Sequence, residues 1–115
     1  MKGYYAIEYK SMTYPYQYEY YRSNNGDFRI FKSIVEARKA CISLINSRKA
    51  VLAVVRGNNK EQLVYATLSG GYVLEDRYVS RNYWYRLNKN GTLGTSIAHT
   101  DIKNIGIIQS ASQRR

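Results

Sequence analysis

Ser33-Ile34-Val35-Glu36-Ala37-Arg38-Lys39-Ala40-Cys41-Ile42-Ser43-Leu44-Ile45-Asn46-Ser47-Arg48 is followed almost at once by Val51-Leu52-Ala53-Val54-Val55. The first stretch has the period of a helix and the second the apolar continuity of a central strand. Ser33 and Glu36 have the S-x-x-E spacing of a capping box, which satisfies two otherwise unpaired amide donors. Ile34, Ala37, Cys41, Leu44 and Ile45 fall on one stripe, as a core-facing helix requires. Glu36, Lys39, Ser43 and Asn46 fall on the opposite face, which is not a basic stripe and is a poor groove reader. Arg48 and Lys49 sit at the C-terminal end, where the helix dipole favours cations.

Outward from this pair, the chain reads as strands and turns. Gly57-Asn58-Asn59-Lys60 is a turn, Gln62 to Leu68 returns, and Ser69-Gly70-Gly71 turns again into Tyr72 to Asp76. Tyr83 to Leu87 leads to Asn88-Lys89-Asn90-Gly91, a tight-turn signal. Thr92 to Ala98 and Asn104 to Ile108 are candidate closing strands. On the N-terminal side, Tyr4 to Lys10 alternates Tyr5, Ile7 and Tyr9 with Tyr4, Ala6 and Glu8. A connection near Met12-Thr13 carries it into Tyr14-Pro15-Tyr16-Gln17-Tyr18-Glu19-Tyr20, with period two. Pro15 cannot donate to a ladder, so this strand is an edge or begins just after it. Ser23 to Asp27 is a loop, and Phe28 to Phe31 is a short extended piece feeding the helix.

The fold expected is therefore α+β: an antiparallel sheet of five to seven strands carrying one packed helix at about 33–48. Turn spacing over 51–108 is also compatible with a barrel-like C-terminal half. With no internal repeat and no linker, residues 1–109 read as a single domain and residues 110–115 as a flexible tail.

Charge is distributed unevenly along the 115 residues, which total +10. Residues 1–27 hold eight of the thirteen tyrosines yet balance three cations against three anions. Residues 28–60 hold eight cations against Glu36 alone, a net +7. Such an excess favours polyanionic partners, because each neutralised phosphate releases a condensed counterion. Helix-end electrostatics account for Arg48 and Lys49, and a turn accounts for Lys60. Arg29, Lys32, Arg38 and Arg56 have no such local explanation. Arg29 and Lys32 enclose Phe31 just ahead of the helix, whose free amides would also favour an anion.

Aromatic and basic residues interleave closely once, at Arg77-Tyr78-Val79-Ser80-Arg81-Asn82-Tyr83-Trp84-Tyr85-Arg86. Arginine can fork onto phosphate or stack on a base, and tyrosine and tryptophan add stacking faces. On a strand, Tyr83, Tyr85 and Leu87 share one side while Trp84 and Arg86 share the other. The nucleic-acid candidates are thus Arg29, Lys32, Arg77, Arg81, Tyr83, Trp84, Tyr85 and Arg86. The strand alternation also puts Tyr14, Tyr16, Tyr18 and Tyr20 on one face. Bases could stack there, but the local neutrality suits a protein partner better, since tyrosine gives wide contact area at low entropy cost.

Catalytic chemistry finds few groups. His99 is the one histidine, with Asp101 close by in what reads as a loop, where histidine is usually a bystander. Cys41 lies on the core stripe, and one cysteine with one histidine makes neither a disulfide nor a zinc site. Glu75 and Asp76 point oppositely on a strand, and Gly70-Gly71 has no following lysine or helix to form a phosphate loop. Neither a signal peptide nor an apolar run long enough to span a bilayer is read.

The function expected is a small, non-enzymatic, basic, cytoplasmic protein that binds nucleic acid or a nucleoprotein complex, with no cofactor, metal or membrane partner. The alternative is a protein-interaction module or inhibitor using the tyrosine face, such as a phage or mobile-element protein that blocks a host defence complex. An exposed edge strand also allows a homodimer through edge pairing.

Overall fold

The computed structural model describes residues 4–109; the expected tail at 110–115 lies outside them. In chain order the elements are β1 (Ala6–Ser11), β2 (Tyr18–Tyr20), α1 (Ile34–Asn46), β3 (Ala50–Gly57), β4 (Lys60–Ala66), β5 (Tyr72–Arg77), β6 (Asn82–Leu87), β7 (Leu93–Ile97) and the single turn α2 (His99–Ile102). The strands form one seven-stranded sheet in the order β2-β1-β3-β4-β5-β6-β7, and every neighbouring pair is antiparallel. The sheet is open. No barrel forms in the C-terminal half, because the far side of β3 is already paired with β1 and cannot close onto β7.

Helix α1 packs against β1, β3 and β4 on one side of the sheet. Its buried residues Ala37, Cys41, Leu44 and Ile45 come from the predicted stripe, joined by Ile42 and Arg38. They meet Ile7, Ala53, Val55, Val64 and Leu74 from four strands, whose alternation delivers one residue in two to this side. Full burial of each such Val, Leu or Ile contributes about 1.5–3 kcal/mol before entropy is charged against it. The Ser33 hydroxyl accepts the Glu36 amide at 3.3 Å, as the capping motif requires.

The C-terminal end of α1 differs from expectation. The helix stops at Asn46 and has no basic residue in its last turn. Arg48 instead takes φ 64°, while Arg48 N donates to Ile45 O at 3.1 Å and Lys49 N to Leu44 O at 3.0 Å. These two bonds make a Schellman motif with arginine at the position glycine usually holds.

The tyrosine strand is shorter than its alternation suggests. Tyr16 donates its amide to Thr13 O at 2.8 Å and has φ 61°, a conformation that turns the chain and is costly for a bulky residue. Only Tyr18 and Tyr20 therefore share a strand face; Tyr14 and Tyr16 belong to the turn. As Pro15 implies, β2 begins after it and is an edge.

The other turns follow their chemistry. Asn58 and Asn59 have φ 50° and 60° between the paired Gly57 and Lys60, a two-residue hairpin of the type asparagine favours. The last expected strand, Asn104 to Ile108, is absent. Gly106 has φ 76°, so only the Ile107–Thr67 bridge forms, with flanking bonds from Leu68 N to Gly106 O at 2.8 Å and Ile108 N to Ala66 O at 2.9 Å. His99 and Asp101, expected in a loop, lie in α2.

Candidate functional site

Strand register brings sequence-distant cations to one end of the sheet. Tyr5 bridges Phe31, Ala6 pairs with Arg56, Gly57 with Lys60 and Glu61 with Arg77. One residue beyond those pairs, Tyr78 donates its amide to Arg81 O at 2.9 Å. Phe31, Tyr5, Gly57, Lys60, Tyr78 and Arg81 thus form a row across the sheet end, with Arg29 and Lys32 flanking Phe31. Five strand spacings make the row roughly 24 Å long.

Two of the row's arginines lie over aromatic rings rather than carboxylates. The Arg29 guanidinium is 4.9 Å from the Phe31 ring centre, and Arg81 is 5.3 Å from that of Tyr83. Among the described residues, none of Arg29, Lys32, Lys60 and Arg81 forms a salt bridge.

Three arginines named from the sequence have structural partners instead. Arg38, which has no local explanation in the sequence, is buried at 7% exposure; it donates Nε to Gln62 Oε1 at 3.0 Å and Nη1 to Gly91 O at 3.3 Å. Arg56 pairs with Glu8 at 3.0 Å and with Glu61. Arg77 reaches Glu61 at 3.7 Å and Glu75 at 3.4 Å. These pairs form a ladder, Glu8–Arg56–Glu61–Arg77–Glu75, across four strands on the outer face, away from α1. Asn82 also donates to the buried Glu75. The ladder alternates in sign, so it attracts phosphate weakly.

The interleaved segment divides between faces as its alternation requires. Trp84 pairs with Glu75 and lies on the outer face, stacked on Tyr65 with ring centres 5.9 Å apart. The stack spans the intervening strand β5, whose Val73, paired with Tyr65, has no exposure. Tyr65 and Tyr18 also line an outer-face groove of about 430 Å³ floored by Leu52, Val54 and Leu63. Tyr65 was the member of this cluster passed over in the sequence; the alternation Leu63–Tyr65 on β4 was the available signal. Arg86 is on the outer face too, five residues after Arg81 of the preceding turn along extended chain and thus about 17 Å away. Tyr85 faces α1 and packs half-buried against the core.

Burial pushes the Tyr65 phenol up from 10.0 to about 12, with the Glu75 charge adding to the shift. The folded chain therefore holds this proton more tightly than the unfolded one. The stabilisation is complete below about pH 10 and is lost as pH rises through about 12. Titration of phenolate absorbance should show a late-ionising component, because the Tyr9, Tyr65 and Tyr78 phenols are all pushed up, and Tyr65→Phe should remove one tyrosine's share of it. A titration unchanged by Tyr65→Phe would contradict the assignment.

Tyr14, Tyr16, Tyr18 and Tyr20 are all exposed, Tyr14 at 81%. Tyr14 and Tyr16 meet edge to face at 6.0 Å, and Tyr20 lies 4.9 Å from Phe28. This aromatic rim borders the β2 edge rather than forming a single strand face.

The remaining candidates have ordinary surroundings. Burial pushes the Cys41 thiol far above its usual range, leaving it protonated and unreactive. His99 Nε2 lies 3.2 Å from Asn82 O, at the surface. Glu75 and Asp76 face opposite sides. Among the described residues no cluster of three or more His, Cys, Asp or Glu side chains could hold a metal ion, and no helix is long and apolar enough to cross a membrane. No protein-family model, no curated protein and no solved structure matches this chain.

Proposed function

We propose that this chain is a small, non-enzymatic binding protein whose target is nucleic acid, alone or within a nucleoprotein complex, held at the basic end of the sheet. The observation that carries the reading is the division among the cations. Arg38, Arg56 and Arg77 are engaged by carboxylates or buried acceptors, whereas Arg29, Lys32, Lys60 and Arg81 stand without salt bridges on one row. Cations without carboxylate partners can exchange their small counterions for phosphates, which is the sequence-independent source of nucleic-acid affinity.

The test is the salt dependence of affinity, measured by fluorescence anisotropy with labelled DNA and RNA. Arg81→Ala and Lys32→Ala are each expected to lower the slope of log K against log salt by about 0.7–0.9. Lys39→Ala, which removes a cation paired with Glu36 on the far side of α1, should leave the slope unchanged. Equal losses for all three variants would mean that net charge alone drives binding and would sink the reading.

A protein partner is the second reading. It rests on the exposed aromatic rim of Tyr14, Tyr16, Tyr18, Tyr20 and Phe28, whose Tyr18 adjoins the salt-bridged Glu–Arg ladder; aromatic residues are enriched at protein interfaces. On that reading, alanine at Tyr16 and Tyr18 abolishes partner capture, while on the first it leaves nucleic-acid affinity intact.

A further inference from the structure

Resting on the nucleic-acid reading above, we infer that the ligand is single-stranded and that an unpaired base stacks at the β5–β6 turn against Tyr78 and Tyr83. The turn protrudes: Val79 at its tip is fully exposed, and Tyr78 and Tyr83 are exposed at 53% and 38%. Beneath the tip lies a cleft of about 460 Å³ lined by Tyr78, Ser80, Arg81, Tyr83 and Tyr85. Its lining is three phenol rings, one guanidinium and one hydroxyl, with no carboxylate among them. The rings of Tyr78 and Tyr83 stand nearly perpendicular, 87° apart with centres separated by 5.2 Å. Tyr78 is held in place by its hydroxyl, which donates to Asp76 Oδ2 at 3.4 Å.

These groups offer stacking surface and a single cation. Stacking requires a base face, which a duplex keeps inside its own stack and a single strand exposes. Arg81 covers part of the Tyr83 ring in the free protein. A base arriving on that ring displaces the guanidinium towards the adjoining phosphate, so one residue both shields the site and contacts the backbone.

The shape of the sheet also disfavours a duplex. A two-stranded ribbon fits a major groove about 12 Å wide. Here β5 and β6 are flanked by β4 and β7 in the same sheet, and four strands at about 4.8 Å spacing are too broad to enter. Helix α1 offers no alternative reader, because its exposed face is Glu36, Lys39, Ser43 and Asn46.

Anisotropy titrations at physiological salt with labelled single strands of about ten nucleotides, and the duplexes of the same sequences, test this directly. The single strand is expected to bind at least about tenfold more tightly than the duplex. Tyr83→Ala should weaken single-strand binding by about 5- to 100-fold, as loss of one stacked base does. Tyr83→Phe, which keeps the ring, should bind like the parent, and both variants are exposed-site changes whose folding circular dichroism can verify. Duplex binding equal to single-strand binding, with Tyr83→Ala without effect, would overturn the inference while leaving nucleic acid as the ligand. Absence of binding to either probe at physiological salt would overturn the inference and the reading beneath it together.

Discussion

Arg38→Met is expected to lower the unfolding free energy by about 2–4 kcal/mol, because it strips donors from buried acceptors. Gln62 Oε1 and Gly91 O lose their bonds to the guanidinium, and the buried Asp76 loses the positive charge that faces it. Methionine fills much of the arginine stem's volume, so the loss reports polar bonding rather than a cavity. Urea unfolding followed by circular dichroism would measure it. Adding Gln62→Leu should restore part of the loss, since removing both ends of a buried polar contact costs less than removing one. A change below about 0.5 kcal/mol for Arg38→Met would show that water replaces the guanidinium at this site.

Gly91→Ala should cost more, about 3–5 kcal/mol, combining backbone strain with steric overlap. Gly91 has φ +88°, and a Cβ there would overlap the Val35 carbonyl oxygen and lie 2.9 Å from Lys39 Cγ. The β6–β7 turn would have to lift off the helix, breaking the same Arg38–Gly91 bond. At about 4 °C per kcal/mol the melting temperature should fall by at least roughly 12 °C. Gly70→Ala isolates the strain, because Gly70 has φ +95° and open space around it; its loss should be far smaller. Similar losses at the two positions would mean that conformation, not close approach, governs Gly91. Because Arg38 and Gly91 meet at one joint, the loss in the double variant should fall short of the sum of the single losses.

The helix was legible because its signals are local. Ser33 caps Glu36 three residues on, and the buried stripe recurs at helical spacing. The alternation of Tyr83 to Leu87 was equally local, and Trp84 and Arg86 do face away from Tyr83 and Tyr85. Local reading failed where one residue overrode the pattern. Tyr14 to Tyr20 alternates perfectly, yet Tyr16 in a left-handed conformation keeps the strand from starting before Tyr18. Gly106 does the same to Asn104–Ile108. Alternation states which residues would share a face if a strand formed; it does not establish that the strand forms.

Which arginines hold the fold together and which remain available was not readable along the chain. Arg56 and Arg29 look alike in sequence, both cations beside apolar residues. Arg56 finds Glu8 at 48 residues' separation because β1 and β3 pair in register, while among the described residues the Arg29 guanidinium finds the ring of Phe31 and no carboxylate. Arg38 reaches Gly91 across 53 residues because the β6–β7 turn folds onto α1. Periodicity and turn chemistry set the elements and their faces, since those depend on neighbours within a few residues. The row that joins Phe31 to Arg81 depends on strand order and register, which are fixed by competition among distant pairings for one buried core.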